Sequence, residues 1–385
     1  MHKPGHFDLV TNLNIAIPYH NDEIRVVIGN GASSKIINYS QNFGNKFLII
    51  TQSKIAELWL NSLQTSLRKI PHSVIKILNL PDGIILKDQK NLLAIYDCLQ
   101  ANEFSKTDTI IAFGGGDITD LSGFAASTYL RGLKLINIPT TLLGQIDASI
   151  GGKNGLNWHG CKNVIGTIYQ PWLIIIDLKY LASLPSREFN AGMAEIVKYS
   201  LIEETISYET NYQMGPKSFY EVLTKLSYEN FNNNHPSLKD IIINCLKMKL
   251  NTVAKDPYDQ NIRHCLNLGH SFGHVFEALF SQDFNHGEAV SLGIIYAFKL
   301  SAYLNQNNVE HINQVTSLLQ NFQLPIKLKA NLSFTWDKFA CVLKSDKKRS
   351  AHSLNFVLPL NKLGLVNYKY PLTLSQIEAF IKSVP

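Results

Sequence analysis

The sequence predicts an α/β N-terminal domain built on a parallel, Rossmann-like sheet, followed by a mostly α-helical C-terminal domain. Three observations carry this expectation. Short β-rich runs alternate with amphipathic helical stretches in the first half. The pattern changes after Leu184-Pro185 to long helical segments. A chain of 385 residues with 45% hydrophobic and 17% charged residues is long enough for two separate cores.

In chain order, the expected strands are Phe47 to Thr51, Val74 to Leu78, Thr109 to Phe113, Leu133 to Ile138 and Leu173 to Asp177. Asp88 to Gln100 reads as an amphipathic helix between two of them, and such alternation implies parallel pairing with helical crossovers. The second half reads as helices at Arg187 to Ile202, Phe219 to Tyr228, Leu238 to Lys255, His270 to Phe280, Gly287 to Leu304 and Val309 to Phe322. The boundary falls near Pro185, giving domains 1–184 and 185–385 with no internal repeat or low-complexity segment.

Charge and cysteine usage exclude several classes. The net charge of +6 is spread along the chain, with Lys347-Lys348-Arg349 the one tight cluster, so no nucleic-acid-binding patch is expected and an anionic small substrate accounts for the basic residues. Cys98, Cys161, Cys245, Cys265 and Cys341 are odd in number and form no CxxC, which argues for reduced thiols in the cytoplasm. The N-terminal residues lack an apolar signal-like run, and no apolar run approaches the roughly 20 residues of a membrane span, so a soluble cytoplasmic protein is expected.

Chemistry concentrates in four places. The run Leu266-Asn267-Leu268-Gly269-His270-Ser271-Phe272-Gly273-His274 is followed by Asn285-His286-Gly287-Glu288, which supplies three histidines. On one continuous helix Asn267, His270 and His274 would form a polar stripe between apolar Phe272, Val275 and Phe276. Imidazoles suit a catalytic zinc, which takes three protein ligands and keeps a fourth position open. The spacing is equally met by hydrogen-bonded core histidines, and it does not say which of the three would bind. A carboxylate is available in Gly192-Met193-Ala194-Glu195-Ile196-Val197-Lys198-Tyr199, where Glu195 and Lys198 share a face; an internal ion pair is the alternative reading. Finally, Gly114-Gly115-Gly116-Asp117-Ile118-Thr119-Asp120 joins a strand to a helix expected over Leu121 to Tyr129. Such a turn lets backbone approach a phosphate, although it lacks the GxGxxG spacing.

Ile138-Pro139-Thr140-Thr141-Leu142-Leu143-Gly144-Gln145-Ile146-Asp147-Ala148-Ser149-Ile150-Gly151-Gly152-Lys153-Asn154-Gly155, with Lys162-Asn163-Val164-Ile165-Gly166, resembles the 3-dehydroquinate synthase family, the shikimate-pathway branch of the sugar phosphate cyclases. The resemblance runs from Pro81-Asp82-Gly83 to Asp346-Lys347-Lys348 and takes in Tyr129-Leu130-Arg131-Gly132, Leu184-Pro185-Ser186-Arg187-Glu188, the Glu195 segment, Arg263 and the histidine segments in order.

The resemblance implies zinc, or cobalt, held by Glu195, His270 and His286, with His274 kept for the substrate. It implies catalytic roles for His274, Lys198, Asp147 and Lys153, and substrate binding by Asn163, Lys249, Arg263, Asn267 and one of Lys347 and Lys348. NAD would be bound by Asp82, Lys87, Gly114, Gly115, Gly116, Asp120, Thr140, Thr141, Lys153, Lys162, Ser183 and Glu188, and Arg131 would reach the phosphate pocket of a neighbouring subunit in a homodimer. The substrate implied is 3-deoxy-D-arabino-heptulosonate 7-phosphate, whose two anionic groups suit this set of lysines, arginines and asparagines. The reaction implied is oxidation at C5 by NAD+, loss of phosphate with its own oxygen as base, return of hydride, ring opening and intramolecular aldol closure.

The chain departs from the family pattern at four places. The family's DGExxK reads Asp82-Gly83-Ile84-Ile85-Leu86-Lys87; Gln52 and Thr119 replace an aspartate and a glycine; and Asp256-Pro257-Tyr258-Asp259-Gln260-Asn261-Ile262-Arg263 replaces DExExGLR while keeping the arginine. A threonine at 119 also resembles sibling cyclases that act on sedoheptulose or hexose phosphates. Arg263, Asn267 and Lys347-Lys348 favour a carboxylated substrate over that sibling reading. A metal-dependent polyol dehydrogenase would not need so many phosphate-binding lysines, and a decayed, non-catalytic scaffold would not keep every metal and substrate position.

Ile84 has no carboxylate for the ribose diol of NAD+, so Ile84→Glu is expected to tighten NAD+ binding, about tenfold if about 1.4 kcal/mol is recovered. Calorimetric titration checks this, and equal or weaker affinity in the variant would show that other groups hold the ribose.

Overall fold

The computed structural model describes residues 10–16, 23–83, 86–159, 161–226, 231, 235–346 and 353–384. The chain divides into two compact units, Met1–Pro185 and Ser186–Pro385. Among the described residues no helix is long and apolar enough to cross a membrane.

In the first unit the strands are β1 (Thr11–Ala16), β2 (Glu23–Gly29), β3 (Lys46–Gln52), β4 (Val74–Leu80), β5 (Thr109–Gly114), β6 (Lys134–Pro139), β7 (Lys153–Trp158), β8 (Cys161–Ile168) and β9 (Leu173–Asp177). Seven of them pair in the order β1-β2-β9-β6-β5-β3-β4. Every pairing is parallel except β1 with β2, so the parallel sheet read from the sequence carries one antiparallel edge strand that the alternation did not reveal. β5 and β9 are buried along their whole length, as strands covered on both faces should be.

Side-chain alternation divides the core. Leu48, Ile50, Ile110, Ala112 and Leu135 pack with Leu92, Ile95 and Leu99 of the helix Gln89–Ala101 and with Ile118, Leu121 and Ala125 of the helix Gly116–Thr128. Their neighbours Phe47, Ile49, Ile111, Phe113, Ile136 and Ile138 face the other way, onto Ala32, Ile36, Leu63, Leu67 and Tyr180. β7 and β8 form a separate antiparallel hairpin.

The second unit contains the helices Ser186–Ser200, Glu203–Glu209, Phe219–Leu223, Leu238–Lys255, His270–Leu279, His286–Tyr303, Val309–Asn321, Trp336–Asp346 and Leu374–Ser383, with an antiparallel hairpin of β10 (Leu354–Pro359) and β11 (Val366–Leu372). The hairpin and the last two helices were not anticipated. β10 and β11 are recognisable only once Leu354, Phe356, Leu358 and Leu372 join Phe272 and Phe276 in one apolar cluster. The expected helix from Arg187 to Ile202 stops at Ser200, because Ile202 leaves helical geometry (φ −127°, ψ 2°) before Glu203–Glu209 begins.

The helices His270–Leu279 and His286–Tyr303 pack backbone to backbone. A Cβ on Gly293 would stand 1.9 Å from the Gly269 carbonyl oxygen and 2.7 Å from the Gly273 nitrogen. Gly269 itself has φ +80°, a turn glycine adopts without strain. Gly293→Ala is therefore expected to destabilise the fold by about 1–3 kcal/mol or more, whereas Gly215→Ala, whose nearest new contact is at 3.6 Å, should be close to neutral. Thermal unfolding of the two variants checks the contrast.

Candidate active site

Each residue of Asn285-His286-Gly287-Glu288 has a distinct local task. Asn285 caps the His286–Tyr303 helix by accepting from Glu288 N, and Glu288 returns the bond to Asn285 N, forming a capping box. Arg187 grips both Glu288 oxygens, at 2.9 and 2.6 Å. At Gly287 the Ser186–Ser200 helix comes so close that a Cβ would lie 2.2 Å from the Ala191 Cα. His286 is thereby fixed at the first turn of one helix, facing Glu195 on another.

Glu195 is fully buried and His270 and His286 converge on it. His270 Nε2 and His286 Nε2 each lie 3.5 Å from Glu195 Oε1, and one donor atom from each of the three residues falls within 4.8 Å of the others. A tetrahedral zinc with ligand distances of about 2.0–2.2 Å has donor–donor edges of about 3.4 Å, so the two nitrogen–oxygen separations already match a metal's coordination edges. The donor set therefore fits a divalent ion.

The charges agree. Burial pushes the His270 pKa down to about 3, against the pull of Glu195, so its ring is neutral and keeps a lone pair. Burial also opposes a charge on His286, but hydrogen bonds to Glu195 and Glu277 outweigh it and push that pKa up to about 10. The two imidazoles diverge because His286 is hydrogen-bonded to a second carboxylate, Glu277, whereas His270 faces a backbone carbonyl there. A positive charge is favoured at this position, whether a proton or a metal ion supplies it. Lys198 pairs with Glu195 Oε2, so the internal ion pair and the histidine cluster coexist on one carboxylate. Burial pushes the Cys265 thiol up to about 12, and the charges of Lys198 and Lys249 oppose it.

One local expectation is corrected. Asn267 does not share a helix with His270 and His274: it ends a short 3₁₀ segment, Ile262–Asn267, and the chain turns at Leu268–Gly269 before the next helix begins at His270. The polar stripe on that helix is His270, His274 and Glu277. The His274 ring lies 5.3 Å from that of His270, centroid to centroid. Arg263 is almost wholly buried and donates to Pro257 O at 2.8 Å, while Asp256 accepts from the backbone of Gln260, Asn261 and Arg263. The altered stretch Asp256–Arg263 is thus an ordered turn held by its first carboxylate. Lys347 and Lys348 lie outside the described residues.

In the first unit, β5 ends at Gly114 and the Gly116–Thr128 helix starts two residues later, earlier than the sequence suggested. Its N-cap, Gly115, offers no side-chain cap, and a Cβ on Gly114 would lie 2.7 Å from Ile118. Thr119 is buried and its hydroxyl donates to Gly116 O within the same helix, so this departure is absorbed by packing. Lys87 is buried and its ammonium donates to Asp120 Oδ2 and Asn163 Oδ1, both at 2.5 Å. Burial pushes Asp120 up to about 6; Lys87 opposes this, and Asp117 and Asp147 add to it. Lys87, Asp120, Asp147 and Asn163 therefore form one cluster.

The remaining first-unit residues sit at strand ends or turns. Thr140 donates its N–H to Gly114 O, and Thr141 Oγ1 accepts from Gly144 N. Ser183 Oγ accepts from Trp59 and donates to Tyr180 O. Asp82, Lys153 and Lys162 are exposed, as is Glu188 in the second unit. Leu130 and Arg131 both have left-handed backbone (φ 50° and 63°), a strain that non-glycine residues rarely carry. Ile84 lies outside the described residues. Asp117 and Glu277 were missed by sequence reasoning; the only signal for Glu277 was its place three residues after His274.

The family described as "3-dehydroquinate synthase N-terminal" matches residues 77–191, and that described as "3-dehydroquinate synthase C-terminal" matches residues 192–349. The chain belongs to the 3-dehydroquinate synthase family. A 3-dehydroquinate synthase of Neisseria gonorrhoeae is 38% identical over 354 residues, covering 91% of this chain and 93% of that protein. One from Legionella pneumophila is 35% identical over 353 residues, covering 91% of each. A solved 2-deoxy-scyllo-inosose synthase, complexed with carbaglucose-6-phosphate, NAD+ and Co2+, superposes with a TM-score of 0.81 at 23% identity, covering 97% of this chain and 100% of its own. The last likeness speaks for the fold; membership of the 3-dehydroquinate synthase family rests on the matches in sequence, and makes this chain a cyclase of the shikimate pathway.

His270→Ala is expected to abolish tight metal binding, whereas His274→Ala should retain the metal while slowing turnover. Metal analysis after dialysis separates them, and retention of metal by His270→Ala with loss by His274→Ala would reverse the ligand choice.

Proposed function

We propose that the chain converts 3-deoxy-D-arabino-heptulosonate 7-phosphate to 3-dehydroquinate and phosphate, using NAD+ catalytically. The observation that carries this reading is the Glu195, His270 and His286 donor set in a chain 38% identical to a 3-dehydroquinate synthase over nearly its full length. When bound, a zinc or cobalt ion would acidify the reacting hydroxyl, and NAD+ would take hydride from C5 and later return it.

The chain's own residues supply the rest. Glu195, His270 and His286 would hold the metal, while Glu195 Oε2 keeps the Lys198 ammonium in place as a hydrogen-bond donor. His274, one turn beyond His270, exchanges a proton with the substrate through its ring. Lys153, Asn163, Lys249, Arg263 and Asn267, with Lys347 or Lys348, bind the phosphate and carboxylate. The Oδ1 of Asn163 is taken by Lys87, so its NH2 group is the part offered to a substrate oxygen. The uncapped N-terminus after Gly115 would receive the pyrophosphate of NAD+, and Asp82, Lys87, Asp120, Thr140, Thr141, Lys162, Ser183 and Glu188 would bind the remainder. The strained, exposed Arg131 serves the site of a second copy in a homodimer.

The purified protein is expected to release one phosphate per 3-dehydroquinate formed, with no accumulation of NADH. Product analysis and absorbance at the NADH band check both. NADH formed in proportion to product would indicate a dehydrogenase, and cyclisation of sedoheptulose 7-phosphate in place of this substrate would indicate a sibling cyclase.

A further inference from the structure

Both imidazoles that face Glu195 are anchored at their far nitrogen. His270 Nδ1 lies 3.2 Å from the Leu268 carbonyl oxygen, and His286 Nδ1 lies 3.3 Å from Glu277 Oε2. In each ring Nε2 is then the atom turned toward Glu195 Oε1, at 3.5 Å. The anchors differ in kind. A backbone carbonyl is neutral and fixed by the turn at Gly269, whereas Glu277 brings a mostly buried carboxylate on its own side chain.

A carboxylate accepts hydrogen bonds and, when ionised, donates none. Facing Nδ1, it selects the tautomer with the proton on Nδ1, which leaves the Nε2 lone pair for a cation and makes that nitrogen more basic. Glu277 stands on the His270–Leu279 helix, and His286 opens the next helix. The bond therefore also ties the two ligand-bearing helices together at the metal donors.

We propose that Glu277 is a positioning residue that holds His286 in its metal-binding tautomer and orientation. This rests on the assignment of Glu195, His270 and His286 as metal ligands. Loss of such a partner costs about 10–100-fold in metal affinity.

The test uses the full chain and Zn2+ in competition with a chromophoric chelator. Glu277→Ala should weaken Zn2+ binding by about 10–100-fold, with activity restored by excess Zn2+ and KM for the sugar phosphate unchanged. Glu277→Gln, whose amide oxygen still accepts from Nδ1, should recover much of the affinity. Wild-type affinity in a folded Glu277→Ala would overturn the proposal. Nitrogen-15 spectra of the Zn2+-loaded wild type decide the matter even where the alanine variant fails to fold: His286 should carry its proton on Nδ1, and metal bound through Nδ1 overturns the proposal. His270→Ala is the control. If it binds Zn2+ as tightly as wild type, the ligand assignment itself is wrong, and that failure is distinct from a silent Glu277→Ala.

Discussion

A buried carboxylate cannot stay ionised without partners, and Glu195 is the point on which the second unit is organised. Its two oxygens meet Lys198 from its own helix and His270 and His286 from two others. The arrangement needs three helices to approach more closely than side chains ordinarily allow. Gly287 against Ala191 and Gly293 against Gly269 provide that approach, and the Asn285–Glu288 capping box with Arg187 fixes where the third helix begins. Substituting the small residues would move the donors before it touched any of them.

The first unit solves a different problem with a related device. The Gly114–Gly116 turn and Thr140–Thr141 follow the carboxyl ends of β5 and β6, and Ser183 lies shortly after that of β9, where open α/β sheets bind ligands. Next to them, one buried ammonium, Lys87, serves both Asp120 and Asn163. Its charge offsets the burial of Asp120, and its hydrogen bond decides which end of the Asn163 amide faces outward. An electrostatic requirement and an orientational one are met by the same atom.

Much of this was legible in the sequence. The central strands and the helices from Leu238, His270, His286 and Val309 appear close to where hydrophobic period places them, because each carries its own apolar pattern, and the last two also begin at capping asparagines, Asn285 and Asn308. β1, the β10–β11 hairpin and the helices from Trp336 onward were not legible, since their apolar faces are defined by what they pack against. Asn267 shows the limit within a motif. Its spacing from His270 fits a helix, but Gly269 at φ +80° breaks the chain there, and a stripe counted across a glycine loses its register.

By itself, the sequence determined the residue types, their order and hence the family, because the motifs from Pro81 to Lys348 are local strings that need no fold to be recognised. Tertiary structure decided which donors meet. His274 and His286 are equally good ligands on paper, yet sharing a metal is a matter of three-dimensional distance: only helix packing brings His286 Nε2 to 3.5 Å from Glu195 Oε1 and sets Glu277 behind it. Contacts between helices depend on crossing geometry, which spacing along one chain does not encode.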